Sequence, residues 1–163
     1  MIKKLWKENR RFIQIWIVIY ILVFLFAKII FFFAIIPSES MYPTLKKGNI
    51  VIGERQYQDI ERYDIVIYKR EGFYYIKRVI GIPGDHLVLD GENAYANGNK
   101  LKNDFVQNSS LDTGTYEVPD SCYFVMGDNR TNSRDSRVWD DPYVHADEIV
   151  AVAKIVFNPF THL

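Results

Sequence analysis

Phe73-Tyr74-Tyr75-Ile76-Lys77-Arg78-Val79-Ile80 (73–80) reads as a β-strand, rich in aromatic and β-branched residues. Side chains alternate between the two faces of a strand, so Phe73, Tyr75, Lys77 and Val79 share one face. An ammonium among three large apolar neighbours loses hydration, which disfavours its charged form and lowers its pKa towards neutrality. A lysine tuned in this way can act as a general base. The same pattern admits a solvated-face lysine beside Arg78, and on pattern alone both readings stand.

Further strand-like runs lie at 49–53, 64–69, 86–89, 121–126 and 149–157, separated by Gly, Pro, Asn and Asp. Asn97-Gly98, between Ala94-Tyr95-Ala96 and Lys100-Leu101, predicts a hairpin turn of the primed type. The stretch 102–115 reads as a polar loop. No long helical period follows residue 36, so the fold class is mainly β, in about 130 residues that suffice for one domain with a core. The single cysteine, Cys122, excludes an intramolecular disulfide. It sits in the apolar run Cys122-Tyr123-Phe124-Val125-Met126 and reads as a buried thiol.

Upstream, residues 12–27 read FIQIWIVIYILVFLFA, and the apolar run resumes after Lys28 as IIFFFAII. About 20 apolar residues cross a bilayer core, so one N-terminal transmembrane helix is expected over 12–31. The run is too long for a cleaved leader and lacks a small-residue cleavage site. Length and flanking charge argue against a buried core helix. The first eleven residues carry Lys3, Lys4, Lys7, Arg10 and Arg11 against Glu8, in a chain of zero formal net charge. A basic flank stays in the cytoplasm, which sends the rest of the chain outside. The expected organisation is a cytoplasmic tail (1–11), the helix (12–31) and an extracytoplasmic β-rich catalytic domain (32–163). The residues at 29–36 are expected to lie on the bilayer surface.

Between the anchor and the first strand stands Pro37-Ser38-Glu39-Ser40-Met41-Tyr42-Pro43-Thr44-Leu45. Each proline fixes its own φ and biases the residue before it towards extended conformations. The stretch reads either as an ordinary extended turn or as a constrained loop presenting a serine nucleophile. A serine needs a neighbouring base. His86, His145 and His162 sit at a strand start, between Val144 and Ala146, and near the C-terminus, none in a segment shaped like a catalytic loop. Residues 127–137, GDNRTNSRDSR, are too polar for core and suit a loop cross-linked by hydrogen bonds and ion pairs. The acids Asp128, Asp135, Asp140 and Asp141 lack calcium-loop spacing, and three arginines oppose a cation there. No metal and no cofactor are expected.

Together these segments resemble the bacterial type I signal peptidases, membrane-anchored Ser/Lys proteases. The resemblance is ordered: an anchor, then PSESMYPTL (37–45), RYDIVIYK (62–69), YIKRVIGIPGD (75–85) and GDNRTNSRDSR (127–137). It implies Ser40 as nucleophile and Lys77 as general base. It implies that the Ser38 hydroxyl completes the oxyanion hole beside the Ser40 N–H, and that Ser133 orients the lysine amine. Asp128, Arg130, Asp135 and Arg137 would brace the site, Arg78 would pair with one of the acids, and Met41 and Pro43 are candidates for the substrate pocket. Thr131 departs from the aspartate common at its position, which bears on loop packing. The length resembles the compact form, without the second large domain of some relatives. The eukaryotic and archaeal relatives carry histidine where Lys77 stands.

The implied activity is endoproteolytic removal of signal peptides from exported preproteins at the outer face of the membrane. Small residues are expected at the first and third positions before the cut. The implied partners are signal peptides, the lipid bilayer and, by proximity, the secretion translocon, with no nucleic acid. The self-cleaving repressors share fold and dyad but carry a DNA-binding segment where this chain has a membrane span. A dedicated pilin- or conjugation-type peptidase and a catalytically silent binding module are the rival readings. Retention of both Ser40 and Lys77 argues against silence.

Overall fold

The apolar N-terminal run forms one continuous helix, α1 (Ile2–Ile30), in the computed structural model, which describes residues 2–158. No proline or glycine interrupts it, and Asn9–Ile30, with mean hydropathy 2.5, is long and apolar enough to cross a membrane. The helix gives way to strand β1 (Phe31–Ile35), because Phe31-Phe32-Phe33 finds a partner strand at once. The Arg55 N–H donates to the Ile30 carbonyl at 2.8 Å, which satisfies an end-of-helix acceptor and fixes the junction. The sequence expectation placed 29–36 on the bilayer surface. Within that stretch the structure pairs Phe31–Ile35 with β2 (Ile50–Glu54) and buries Phe32 and Ile36, while Phe31, Phe33 and Ile35 stay exposed.

The other strands are β3 (Ile65–Arg70), β4 (Phe73–Gly81), β5 (His86–Asp90), β6 (Asn93–Ala96), β7 (Asn99–Lys100), β8 (Thr113–Glu117), β9 (Cys122–Met126), β10 (Val144–His145) and β11 (Ile149–Phe157). Seven form one antiparallel sheet in the order β1-β2-β11-β3-β4-β9-β10, and four form a smaller sheet, β7-β6-β5-β8. The mainly-β expectation holds, and the expected strands appear within a residue or so of their bounds. The turn at Asn97-Gly98 has φ of 53° and 80°, as a primed hairpin requires. The loop expected at 102–115 needs correction, since Thr113–Glu117 is a strand. Its polar residues hid it: Tyr116 packs against the small-sheet core and pairs with Leu87, while its neighbours face out.

Three apolar clusters hold the sheets. One, under the small sheet, gathers Ile80, Leu87, Leu89, Val118 and Phe124 with the buried thiol of Cys122. A second packs Val66, Tyr68, Val79, Val125 and Val152 within the large sheet. The third joins Phe32, Ile36, Val51 and Ile67 to Met41 and Leu45, which lie in the loop after β1. That third cluster positions the serine.

Candidate active site

Met41 and Leu45 are fully buried, and the Leu45 N–H donates to the Met41 carbonyl at 2.8 Å. The apolar pair holds the loop from beneath and presents Ser40 at its top, 7% exposed. Met41 thus belongs to the apolar cluster beneath the serine loop. Pro43 is exposed, and neither residue lines the groove beside the serine.

Strand β4 brings Lys77 to the same point. Its Nζ lies 2.8 Å from Ser40 Oγ and donates to the Ile76 carbonyl at 3.1 Å. Lys77 is 4% exposed, which excludes the solvated-face reading. Burial pushes its pKa down to about 8, although Asp135 and Asp128 pull it up; Arg137 assists the fall. Desolvation wins because each acid is already matched by an arginine. Tyr75 and Val79 share the lysine's face as expected, but Phe73 is 69% exposed and gives it no shelter.

Arg78, on the opposite face of β4, grips Asp128 with Nε and Nη2 at 2.8 and 2.6 Å. Thr44 joins this pair, donating to Asp128 Oδ2 at 2.5 Å and accepting from Arg78 at 3.1 Å. Sequence reasoning missed Thr44, which has no signal beyond its place in the serine loop. Arg137 grips Asp135 through Nε at 2.8 Å and Nη2 at 2.9 Å, and Asp135 also accepts from the Gly127 N–H at 2.8 Å. Arg130, buried, donates to the Gly127 carbonyl at 3.0 Å, and burial lowers its pKa to about 10. Gly127 is where the two loops meet. A Cβ there would stand 2.2 Å from Ser133 Oγ and 2.5 Å from the Ser40 carbonyl, distances no real Cβ occupies. The Asn129 N–H then donates to that carbonyl at 3.1 Å, tying the polar loop to the serine loop.

Two expected site hydroxyls behave differently. Ser38 Oγ lies 3.3 Å from Ser40 Oγ. Ser133 does not bond the lysine amine. Its hydroxyl donates to Asp135 Oδ2 at 2.7 Å, since a buried carboxylate is the stronger acceptor. None of the described histidines serves the serine: His86 faces Glu117, and His145 lies between Asp141 and Cys122. His162 lies outside the described residues. Burial raises the Cys122 pKa, so that thiol is a poor nucleophile.

A groove of about 370 Å³ opens beside the serine. Residues 32–37 line one side, Tyr74, Tyr75 and Ile76 the other, with Ile67 between them. Both sides offer unpaired strand edge. β1 ends the sheet, and β4 pairs with β9 only from Arg78 onward, leaving 73–77 open on that side. The sequence did not reveal these lining residues, because they become neighbours only once β1 is known to be a strand.

Residues 9–158 match the family described as signal peptidase, peptidase S26. Among relatives, the chain is 34% identical to signal peptidase I S of Bacillus subtilis, over 88% of this chain and 85% of that one. It is 33% identical to signal peptidase I of Bacillus caldolyticus, over 98% and 96%. A crystal structure of a signal peptidase I from Enterococcus faecalis superposes with a TM-score of 0.52 at 28% identity, covering 60% of this chain and 98% of that one. A mainly-β domain, a serine within reach of a buried lysine and a matched region spanning nearly the whole chain agree: the protein belongs to the signal peptidase family, peptidase S26.

Proposed function

We propose that the chain is a membrane-anchored serine endopeptidase that removes signal peptides from preproteins, with Ser40 as nucleophile and Lys77 as general base. The observation that carries this reading is the 2.8 Å contact between Ser40 and a buried lysine whose pKa has fallen to about 8. Near that pH an appreciable fraction of the amine is neutral, and the Ser40 hydroxyl then donates to its lone pair. Lys77 takes the proton as Ser40 Oγ bonds to the carbonyl carbon of the scissile peptide. The Ser40 N–H and the Ser38 hydroxyl stabilise the oxyanion, one such donor being worth about 3 kcal/mol. Collapse breaks the C–N bond, and Lys77 returns the proton to the departing amine. Neutral Lys77 then takes a proton from water, whose oxygen bonds to the acyl carbon; the bond to Ser40 Oγ breaks, Lys77 returns the proton to Ser40, and the signal peptide is freed.

The groove suits an extended peptide. A strand laid between the free edge of β1 and the open stretch of β4 gains main-chain hydrogen bonds from both. Its apolar lining suits apolar side chains before the cut, and the family resemblance implies small ones at the first and third positions. Helix α1 would anchor the domain outside the membrane with the N-terminus in the cytoplasm, near the translocon. Residues 1–11, 12–31 and 32–163 divide accordingly into tail, anchor and catalytic domain.

Incubating the detergent-solubilised protein with a preprotein, and sequencing the new N-terminus, tests the activity. The expected cut follows a small residue, and Ser40→Ala abolishes it. Equal cleavage by Ser40→Ala overturns the reading, while indifference to bulky residues before the cut points to a dedicated peptidase. Topology is checked by an impermeant thiol reagent on a cysteine introduced at Asn108. Labelling is expected in intact cells, and labelling only after lysis overturns the orientation.

A further inference from the structure

A second recess, of about 410 Å³, is lined by neither Ser40 nor Lys77 and has no part in the chemistry above. Tyr75 and Trp139 line it, with ring centroids 6.2 Å apart, and Tyr75 lines the peptide groove as well. The two spaces therefore meet at one side chain, two residues from Lys77 on the same strand face. Arg134 completes the link from the other loop, standing between Ser133 and Asp135. Beneath the two rings packs Tyr68, fully buried, whose hydroxyl has no hydrogen-bond partner. One buried hydroxyl under the recess is thus left without a partner.

The charge of the recess is uneven. Four acids line it (Glu71, Asp140, Asp141 and Glu148) against two arginines. Arg70 is committed: it grips Glu148 through Nε and Nη2 at 3.0 and 2.9 Å, and its guanidinium covers Trp139 at 4.6 Å. Among the described residues, Glu71 and Asp140 are exposed and make no ion pair, so the rim carries net negative charge.

We propose that this recess receives the first residues of the mature polypeptide, just after the scissile bond, and that its rim favours basic ones there. The inference rests on Ser40–Lys77 proteolysis. Lys77 must hand its proton to the departing nitrogen, so the leaving chain begins against the lysine amine. From that point β9 occupies the edge of β4 beyond Lys77, from Arg78 onward, and the leaving chain must turn off the strand. On the lysine's own face the neighbouring space is the recess walled by Tyr75.

The test uses the detergent-solubilised full chain and a set of peptides identical up to the cut. At the second and third positions after it they carry two lysines, two serines or two glutamates. Wild-type kcat/KM is expected to run lysine, serine, glutamate, with about tenfold between the extremes, mostly in KM. A Glu71→Lys, Asp140→Lys double variant, at exposed sites that leave the fold intact, should reverse that order while cutting the serine peptide normally. A wild-type enzyme that cuts all three alike, or a double variant that keeps the wild-type order, overturns the proposal. So does a preference that follows charge placed before the cut instead. Cleavage of the serine peptide with no charge preference defeats this inference alone, whereas failure to cut any of the three defeats the proteolytic reading with it.

Discussion

Lys77 and Arg78 are neighbours on one strand, both cations, both buried, and they live under opposite electrostatic terms. Arg78 meets Asp128 through two hydrogen bonds, with the acid fully buried. Lys77 has no carboxylate within hydrogen-bonding distance; its described partners are a hydroxyl and a carbonyl. A paired buried charge keeps its proton and braces the structure, while an unpaired one is pushed towards losing it. One residue step, through the alternation of a strand, separates structural from chemical use of the same charge.

The largest expected effect comes from erasing the difference. Lys77→Arg keeps a cation of similar reach, but guanidinium does not deprotonate at working pH. Processing of a preprotein should fall at least a thousandfold, on the order of 4 kcal/mol in the barrier. Activity within tenfold of wild type would break the comparison.

Breaking the Arg78 pair should act mainly on stability. Asp128→Asn leaves a buried guanidinium without its counter-charge, and denaturant titration should show a loss of about 3 kcal/mol. The same substitution sharpens the claim about Lys77. Asp128 raises the lysine's pKa, so removing its charge should move the acid limb of the pH–rate profile to lower pH. An upward move would contradict the account.

The smallest effect concerns what the tuned lysine does to the fold. Its folded pKa, about 8, lies below the ordinary 10.5, so the unfolded chain holds more protons between those values. Stability should therefore rise with pH through that window. Lys77→Met should flatten the rise and stabilise the protein at pH 7 by up to about 3 kcal/mol. Thermal melts of both proteins at pH 7 and pH 10 check the sign.

The two halves of the dyad were legible for different reasons. Lys77 was visible because six of the eight residues in its run, 73–80, favour a strand, and alternation then assigns its face. Ser40 was visible only through its prolines and the ordered resemblance, since what fixes it is the burial of Met41 and Leu45. The burial of Met41 was hidden because nothing local separates an apolar side chain pointing into the core from one pointing at substrate. Strand β1 was hidden by the apolar run before it, which merges helix and strand into one hydropathic stretch. The partner of Ser133 was hidden because a choice between lysine and Asp135 depends on tertiary distance alone.

The claim at the centre is that an unpaired, buried Lys77 activates Ser40. The most direct test is the pH dependence of kcat/KM on a single preprotein, for wild type and for His86→Ala, His145→Ala and His162→Ala. Activity should rise along a single acid limb with its midpoint near 8, far below that of a free lysine, and the limb should stay in place in all three histidine variants. A limb that vanishes in any one of those variants, or lies above 10, would contradict the account.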